Sequence, residues 1–226
     1  KAIKSIKKVL KKTRDKYVIW EQLLYLFNQK ADFKSLYSYS DTVTGLFPFQ
    51  PMPYLYGSMS ALRLDSVDKT IEFAEKGIDY TNDNPELQVE LMTFLGEAYH
   101  KKEKYNKADS VFDKVIEMEP ENVYVLNNYS YYLSLRKDKL DKAKNMGKRL
   151  IRLSPNNSTY LDTYAWVLYE LKEYKNALEY IKRAYQNGGI KSSVIVEHYG
   201  DILFKNGQKD KALKKWKLLI SHSQYL

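Results

Sequence analysis

The stretch Met92-Thr93-Phe94-Leu95-Gly96-Glu97-Ala98-Tyr99, followed by Ala108-Asp109-Ser110-Val111-Phe112 and closed by Pro120, decides the fold. Apolar side chains return at three- and four-residue intervals on both sides of a short break, the period of two consecutive amphipathic helices. The pattern recurs downstream as Leu126-x2-Tyr129-Ser130-x2-Leu133, Ala143-x3-Gly147 and Pro155. It recurs again as Leu161-x2-Tyr164-Ala165-x2-Leu168 with Ala177-x3-Ile181-x2-Ala184, and as Val196-x2-Tyr199-Gly200-x2-Leu203 with Ala212-x3-Trp216-x2-Leu219. The small residue of each first helix falls at 96, 130, 165 and 200, and the alanine of each second helix at 108, 143, 177 and 212. Two independent markers thus keep one step of 34 or 35 residues. Helices approach closely only where side chains are minimal, so Gly96 is expected to face Ala108, and Ala165 to face Ala177. Pro120 and Pro155 separate successive hairpins, since proline cannot continue a helix interior. Asn187-Gly188-Gly189 ends another helix through a left-handed cap.

The unit at 92–120 resembles the tetratricopeptide signature, W-x2-L-G-x2-Y on one helix, A-x3-F on the next, and a closing proline. The resemblance implies an all-α chain, a right-handed superhelical solenoid of antiparallel helix hairpins. Residues 86–120, 121–155, 156–189 and 190–226 are expected to form one repeat each. Upstream, Trp20-x2-Leu23-Leu24-x2-Phe27 with Leu36, Val43 and Pro48 fits the same template over residues 15–48. Residues 1–14 read as the second helix of a truncated upstream repeat, whose stripe of Ile3, Ile6, Val9 and Leu10 needs a cover. Residues 49–85 form a degenerate repeat. Its opening, Pro48-Phe49-Gln50-Pro51-Met52-Pro53, reads as an extended linker. Its second helix, roughly 66–80, carries Phe73 where alanine is usual, which suggests altered packing and a hinge. About thirteen helices of 10 to 16 residues are expected in all, six hairpins after one orphan. The phrases at 126–133 and 161–168 look like those of bacterial tetratricopeptide proteins. Many such proteins are lipoproteins or periplasmic scaffolds, so the resemblance favours a periplasmic or outer-membrane-associated location in a Gram-negative bacterium over the cytoplasm.

Composition agrees with a helical chain. The 226 residues include 44% hydrophobic residues and 21 tyrosines, against only nine glycines and six prolines. The chain has no cysteine, which removes disulfides, thiolate metal sites and cysteine nucleophiles. No segment reaches the roughly 18 apolar residues of a membrane span. His100, His198 and His222 have no partner at triad or metal-ligand spacing, and His100 and His198 read as surface or groove residues. No Gly-rich phosphate loop follows a strand. We therefore expect no catalytic residues, no metal, no cofactor and no small-molecule substrate.

The net charge is +9, and most lysines fall on second helices, for example Lys139, Lys142, Lys144 and Lys148. In this family second helices form the convex outside, so those lysines read as solvated surface. The concave face is lined by first helices, and their matching turns here differ in character. They present Glu97, then Asn127 and Tyr131, then Asp162, Trp166 and Tyr169, then Glu197 and Asp201. This aromatic and acidic stripe lacks the lysine and arginine pairs with which one subfamily grips chaperone C-termini. It suits another protein's extended peptide or helix bearing apolar and basic side chains. Tyr131 and Trp166 are one period apart and are expected to be neighbours, the alternative being that each packs sideways onto an adjoining first helix. An RNA-binding helical repeat shares the 35-residue step, but an acidic groove disfavours nucleic acid. An accessory subunit of a membrane-associated complex, held peripherally by its lysine-rich side, is the remaining reading.

Overall fold

The structure is a computed structural model that describes residues 1–81 and 83–223, with side chains through 219. His222 and residues 224–226 of the last expected repeat therefore lie outside the described side chains. Among the described residues there are thirteen α-helices and no strand. They divide into two compact units, residues 1–119 and residues 120–226.

The first unit opens with α1 (Ala2–Leu10) and continues as three hairpins. These pair α2 (Tyr17–Gln29) with α3 (Phe33–Leu46), α4 (Pro51–Arg63) with α5 (Val67–Ile78), and α6 (Pro85–Lys101) with α7 (Tyr105–Met118). The second unit holds three more: α8 (Val123–Arg136) with α9 (Leu140–Leu153), α10 (Ser158–Glu170) with α11 (Tyr174–Gln186), and α12 (Ser193–Lys205) with α13 (Lys209–Ser223). Only α1 and α6, at 9 and 17 residues, fall outside the expected lengths.

The helix starts are written in the sequence. Asn84, Asn122, Asn157 and Ser192 each accept, through the side chain, from a backbone N–H in the first turn of α6, α8, α10 and α12. Each such cap satisfies a donor that the helix itself cannot pair. The turns inside the hairpins are equally regular. Ala31, Asp65, Glu103, Lys137, Lys172 and Gly207 all have φ between 50° and 77°. Two residues or fewer beyond each lies an N–H that bonds back to the helix, as Glu173 N–H donates to Leu168 O at 2.9 Å and Gln208 N–H to Leu203 O at 3.0 Å. That closure needs a left-handed residue, which costs an L-residue about 1–2 kcal/mol. Glycine meets the need only at Gly207. Lys172→Gly is therefore expected to raise stability by about 0.5–1 kcal/mol, less than the full strain because glycine also loosens the unfolded chain. Lys172→Leu, still an L-residue at the same φ, should be near neutral. A lower urea midpoint for the glycine variant would contradict the strain argument.

The fourth residue of every second helix is buried: Leu36, Thr70, Ala108, Ala143, Ala177 and Ala212. This corrects the placement of Phe73, since Thr70 holds the position of the alanine. The Phe73 ring instead lies over Gly57, where an added Cβ would come within 2.8 Å. A second correction concerns Gly96. Its nearest neighbour across the hairpin is the ring of Phe112, 2.6 Å from an added Cβ, not Ala108. Gly200 likewise lies under Trp216.

The expected linker at 48–53 is also corrected. Only residues 47–50 lie outside helix, and Pro51 and Pro53 belong to the first turn of α4. First-turn N–H groups have no partner inside a helix, so proline removes nothing there. The Tyr54 hydroxyl donates to Pro48 O at 3.0 Å and ties the turn to α4. Helix α4 packs on α2, α3, α5 and α6. The boundary between compact units accordingly falls after Glu119 and not in 49–85, where a hinge was expected.

The stripe on α1 is not bare. Leu10 is buried, and Ile3 and Ile6 pack onto the core formed by Trp20, Leu23, Leu24, Phe27, Leu36, Val43 and Tyr56. Of the four residues only Val9 is exposed. The stripe covers the open side of α2, so its apolar surface is used inside the chain. Lys7 adds its ammonium over the rings of Phe27 and Tyr39, at 5.2 and 4.7 Å.

Candidate functional site

In the second unit α10 packs against both α8 and α12, so three first helices lie side by side. Their common face holds a cleft of about 290 Å³ lined by Asn127, Tyr131, Thr159, Asp162, Thr163, Ser192, Val194 and Ile195. Each helix contributes because a 34- or 35-residue period returns the chain to the same face: Asn127 and Tyr131 on α8, Asp162 on α10, Val194 on α12. The backs of these helices are held by Leu126, Tyr129, Leu133, Leu161, Leu168, Ile202 and Leu203, all at most 1% exposed.

Asp162 is itself buried, and its Oδ1 lies 2.9 Å from Nδ1 of His198, also buried. An ionised carboxylate can only accept, so the ring donates through Nδ1–H. The expectation of His198 as a surface or groove residue is thus corrected. Its ring is held from two sides, by Asp162 and by Trp166. Trp166 stacks on His198 with centroids 4.0 Å apart and planes 15° apart, and on Tyr169 at 4.6 Å and 11°. Tyr169 in turn meets the ring of Tyr174 edge-on at 5.5 Å. Trp166 therefore packs sideways onto the next first helix, where His198 is its stacking neighbour. Trp166 remains half-buried, and its Nε1 has no hydrogen-bond partner.

Asp201 accepts from Trp216 Nε1 at 3.1 Å, which holds α13 to α12. Burial pushes the Asp201 carboxyl up, with Glu197 acting the same way, while the Trp216 bond and His198 oppose them. The Tyr131 hydroxyl is raised first by burial and then by Asp162 and Glu197. Glu197 is exposed, the only acid of the expected stripe on α10 and α12 that is. Asn127 donates from Nδ2 to Asn128 Oδ1 at 3.0 Å, and its own Oδ1 is buried without a partner. Glu97 lies on α6, in the first unit, half-buried.

The structure thus brings Asn127, Tyr131 and Asp162 to one cleft, and joins Trp166 and Tyr169 in a stack beside it. His198 was missed as an anchor. It lies 36 residues after Asp162, one period plus one, so it directly follows Glu197, about 100° further round the next first helix. Among the described residues no cluster of three or more His, Asp or Glu could hold a metal ion. No described helix is long and apolar enough to cross a membrane.

Residues 89–122 match the family model of the tetratricopeptide repeat. Several solved structures are similar. A tetratricopeptide repeat protein from Parabacteroides merdae matches with a TM-score of 0.72 at 16% identity, over 97% of this chain and 85% of its own. MamA from Desulfovibrio magneticus matches with 0.66 at 15% identity, over 77% of this chain and 96% of its own. YrrB, described as a TPR protein with an unusual peptide-binding site, matches with 0.66 at 12% identity, over 84% of this chain and 95% of its own. No curated protein sequence matches significantly.

Proposed function

We propose that this chain, a tetratricopeptide-repeat protein by its matched repeat and its fold, is a non-catalytic scaffold that binds a segment of another protein. The segment lies in the cleft on α8, α10 and α12. One observation carries the reading: three first helices whose backs are fully buried leave a cleft of about 290 Å³ on their common face, with half-buried Tyr131 and exposed Val194 in its walls. Exposed apolar side chains beside polar ones that lack partners suit a ligand more than solvent. YrrB, similar in fold and described as having a peptide-binding site, supports the same class of ligand. An extended strand or a single helix, bearing apolar and basic side chains, fits a cleft whose Tyr131 lies in the field of Glu197.

Selection from a random peptide library on the full chain tests this. Tyr131→Ser and Val194→Ser are each expected to weaken the selected peptides by roughly tenfold, the ordinary cost of losing a central contact. The melting temperature should move little, since neither side chain is in the core. Peptides that bind both variants as well as the parent would place the interaction elsewhere, and the lysine-rich second helices would then be the surface to examine.

A further inference from the structure

What fills the cleft can be named more closely, on the premise that the cleft is the binding site just described. The chain is basic overall, at +9, yet the three first helices of the second unit reverse that sign. Helices α8, α10 and α12 carry Lys or Arg only in their last turns, at Arg136 and Lys205. The same helices carry Asp162, Glu170, Glu197 and Asp201. Among the described residues, no basic one lines the cleft.

Four features converge on it. Asp162 and Glu197 both act on the Tyr131 hydroxyl, so their field overlaps at the cleft wall. The half-buried Tyr131 ring offers a flat π-surface. The Oδ1 of Asn127, which lines the cleft, is a buried acceptor with no donor. A buried acceptor left without a donor is unfavourable, and a donor on the ligand would recover that loss. Val194 and Ile195 supply an apolar wall for a methylene stem.

We propose that the cleft is a receptor for one arginine side chain of the bound protein segment. A guanidinium is planar, stacks on aromatic rings, and carries five N–H donors, enough to serve Asn127 Oδ1 while facing carboxylates. It is also more weakly hydrated than an ammonium, so its transfer into a half-buried cleft costs less. Lysine supplies the charge but not the plane, and binds more weakly.

Titration of the isotope-labelled full chain with N-acetyl-arginine methylamide, followed by NMR, tests the assignment. The expected shifts fall on the Asn127 side-chain amide and on the backbone amides of Tyr131, Thr159 and Val194. The citrulline analogue, equal in shape but uncharged, should bind about tenfold more weakly, as charge-assisted hydrogen bonds are roughly twice as strong as neutral ones. Asn127→Ala should cost the arginine compound about five- to tenfold and leave its melting curve close to that of the parent. Equal binding of arginine and citrulline, an undiminished affinity in Asn127→Ala, or no shifts localised to the cleft would each overturn the proposal. None of these results touches the scaffold reading, which stands or falls on the library selection. A failed selection with intact arginine binding would sink the scaffold reading and leave a cation subsite.

Discussion

Phe112→Ala is expected to destabilise the chain by about 3–5 kcal/mol, the usual loss for a fully buried aromatic side chain, measured as a fall in the urea midpoint. Phe112 is 1% exposed and sits in the seam between α6 and α7. The seam is tight because Gly96 leaves room for the ring: a Cβ there would lie 2.6 Å from it. Gly96→Ala should therefore cost about 1–3 kcal/mol by overpacking, although alanine in a helix is normally worth up to about 1 kcal/mol over glycine. The two effects separate in a double-mutant cycle. With Phe112→Leu already in place, the added methyl meets a shorter side chain, and Gly96→Ala should become neutral or stabilising. Gly45 provides the control. It lies in α3 with nothing within 4 Å of an added Cβ, so Gly45→Ala should gain a few tenths of a kcal/mol through propensity alone. If Gly96→Ala costs the same in both backgrounds, the glycine does not serve the Phe112 ring.

That pair also shows how far the sequence could be read. The period exposed the hairpins, since a small residue and an alanine recurring together leave little freedom in helix spacing. Which side chains meet across the seam was less legible. Long side chains on a helix lean toward its N-terminus, so the ring of Phe112, a full turn beyond Ala108, reaches back over Gly96. The same lean hid the cleft's anchor: an exact period pairs Tyr131 with Trp166 and Asp162 with Glu197, whereas Asp162 meets His198 at 36 residues. Pro51 and Pro53 misled for a different reason. A proline is evidence against helix only beyond the first turn, and the sequence did not mark where α4 begins, because Gln50 makes no side-chain cap. Composition marked the acidic character of the stripe, but not that Asp162 would be spent on an internal hydrogen bond while Glu197 stays in solvent.

Asp162→Ala is accordingly expected to act on stability, at about 3 kcal/mol, where Glu197→Gln acts within about 0.5 kcal/mol. The aspartate is 6% exposed and His198 7%, so removing the carboxylate strands a buried ring N–H with no acceptor. Asp162→Asn keeps an acceptor oxygen in the same place and should cost about 1 kcal/mol. Loss of the bond also frees the His198 ring, on which Trp166 is stacked at 4.0 Å. Trp166→Ala removes that stack and the one with Tyr169, so it too should lower the melting temperature, whereas Trp166→Phe keeps a ring between its neighbours and should recover most of the loss. Glu197→Gln, by contrast, is expected to show itself only in binding. An exposed charge whose field reaches a cleft steers a cationic segment, so its removal should slow association and flatten the dependence on salt, with dissociation little changed. Thermal melts of the five variants, with stopped-flow association of a cleft-dependent peptide for Glu197→Gln, distinguish the two roles. Asp162→Ala melting with the parent would mean that the His198 bond contributes nothing to the fold, and that the role of Asp162 is confined to the cleft it lines.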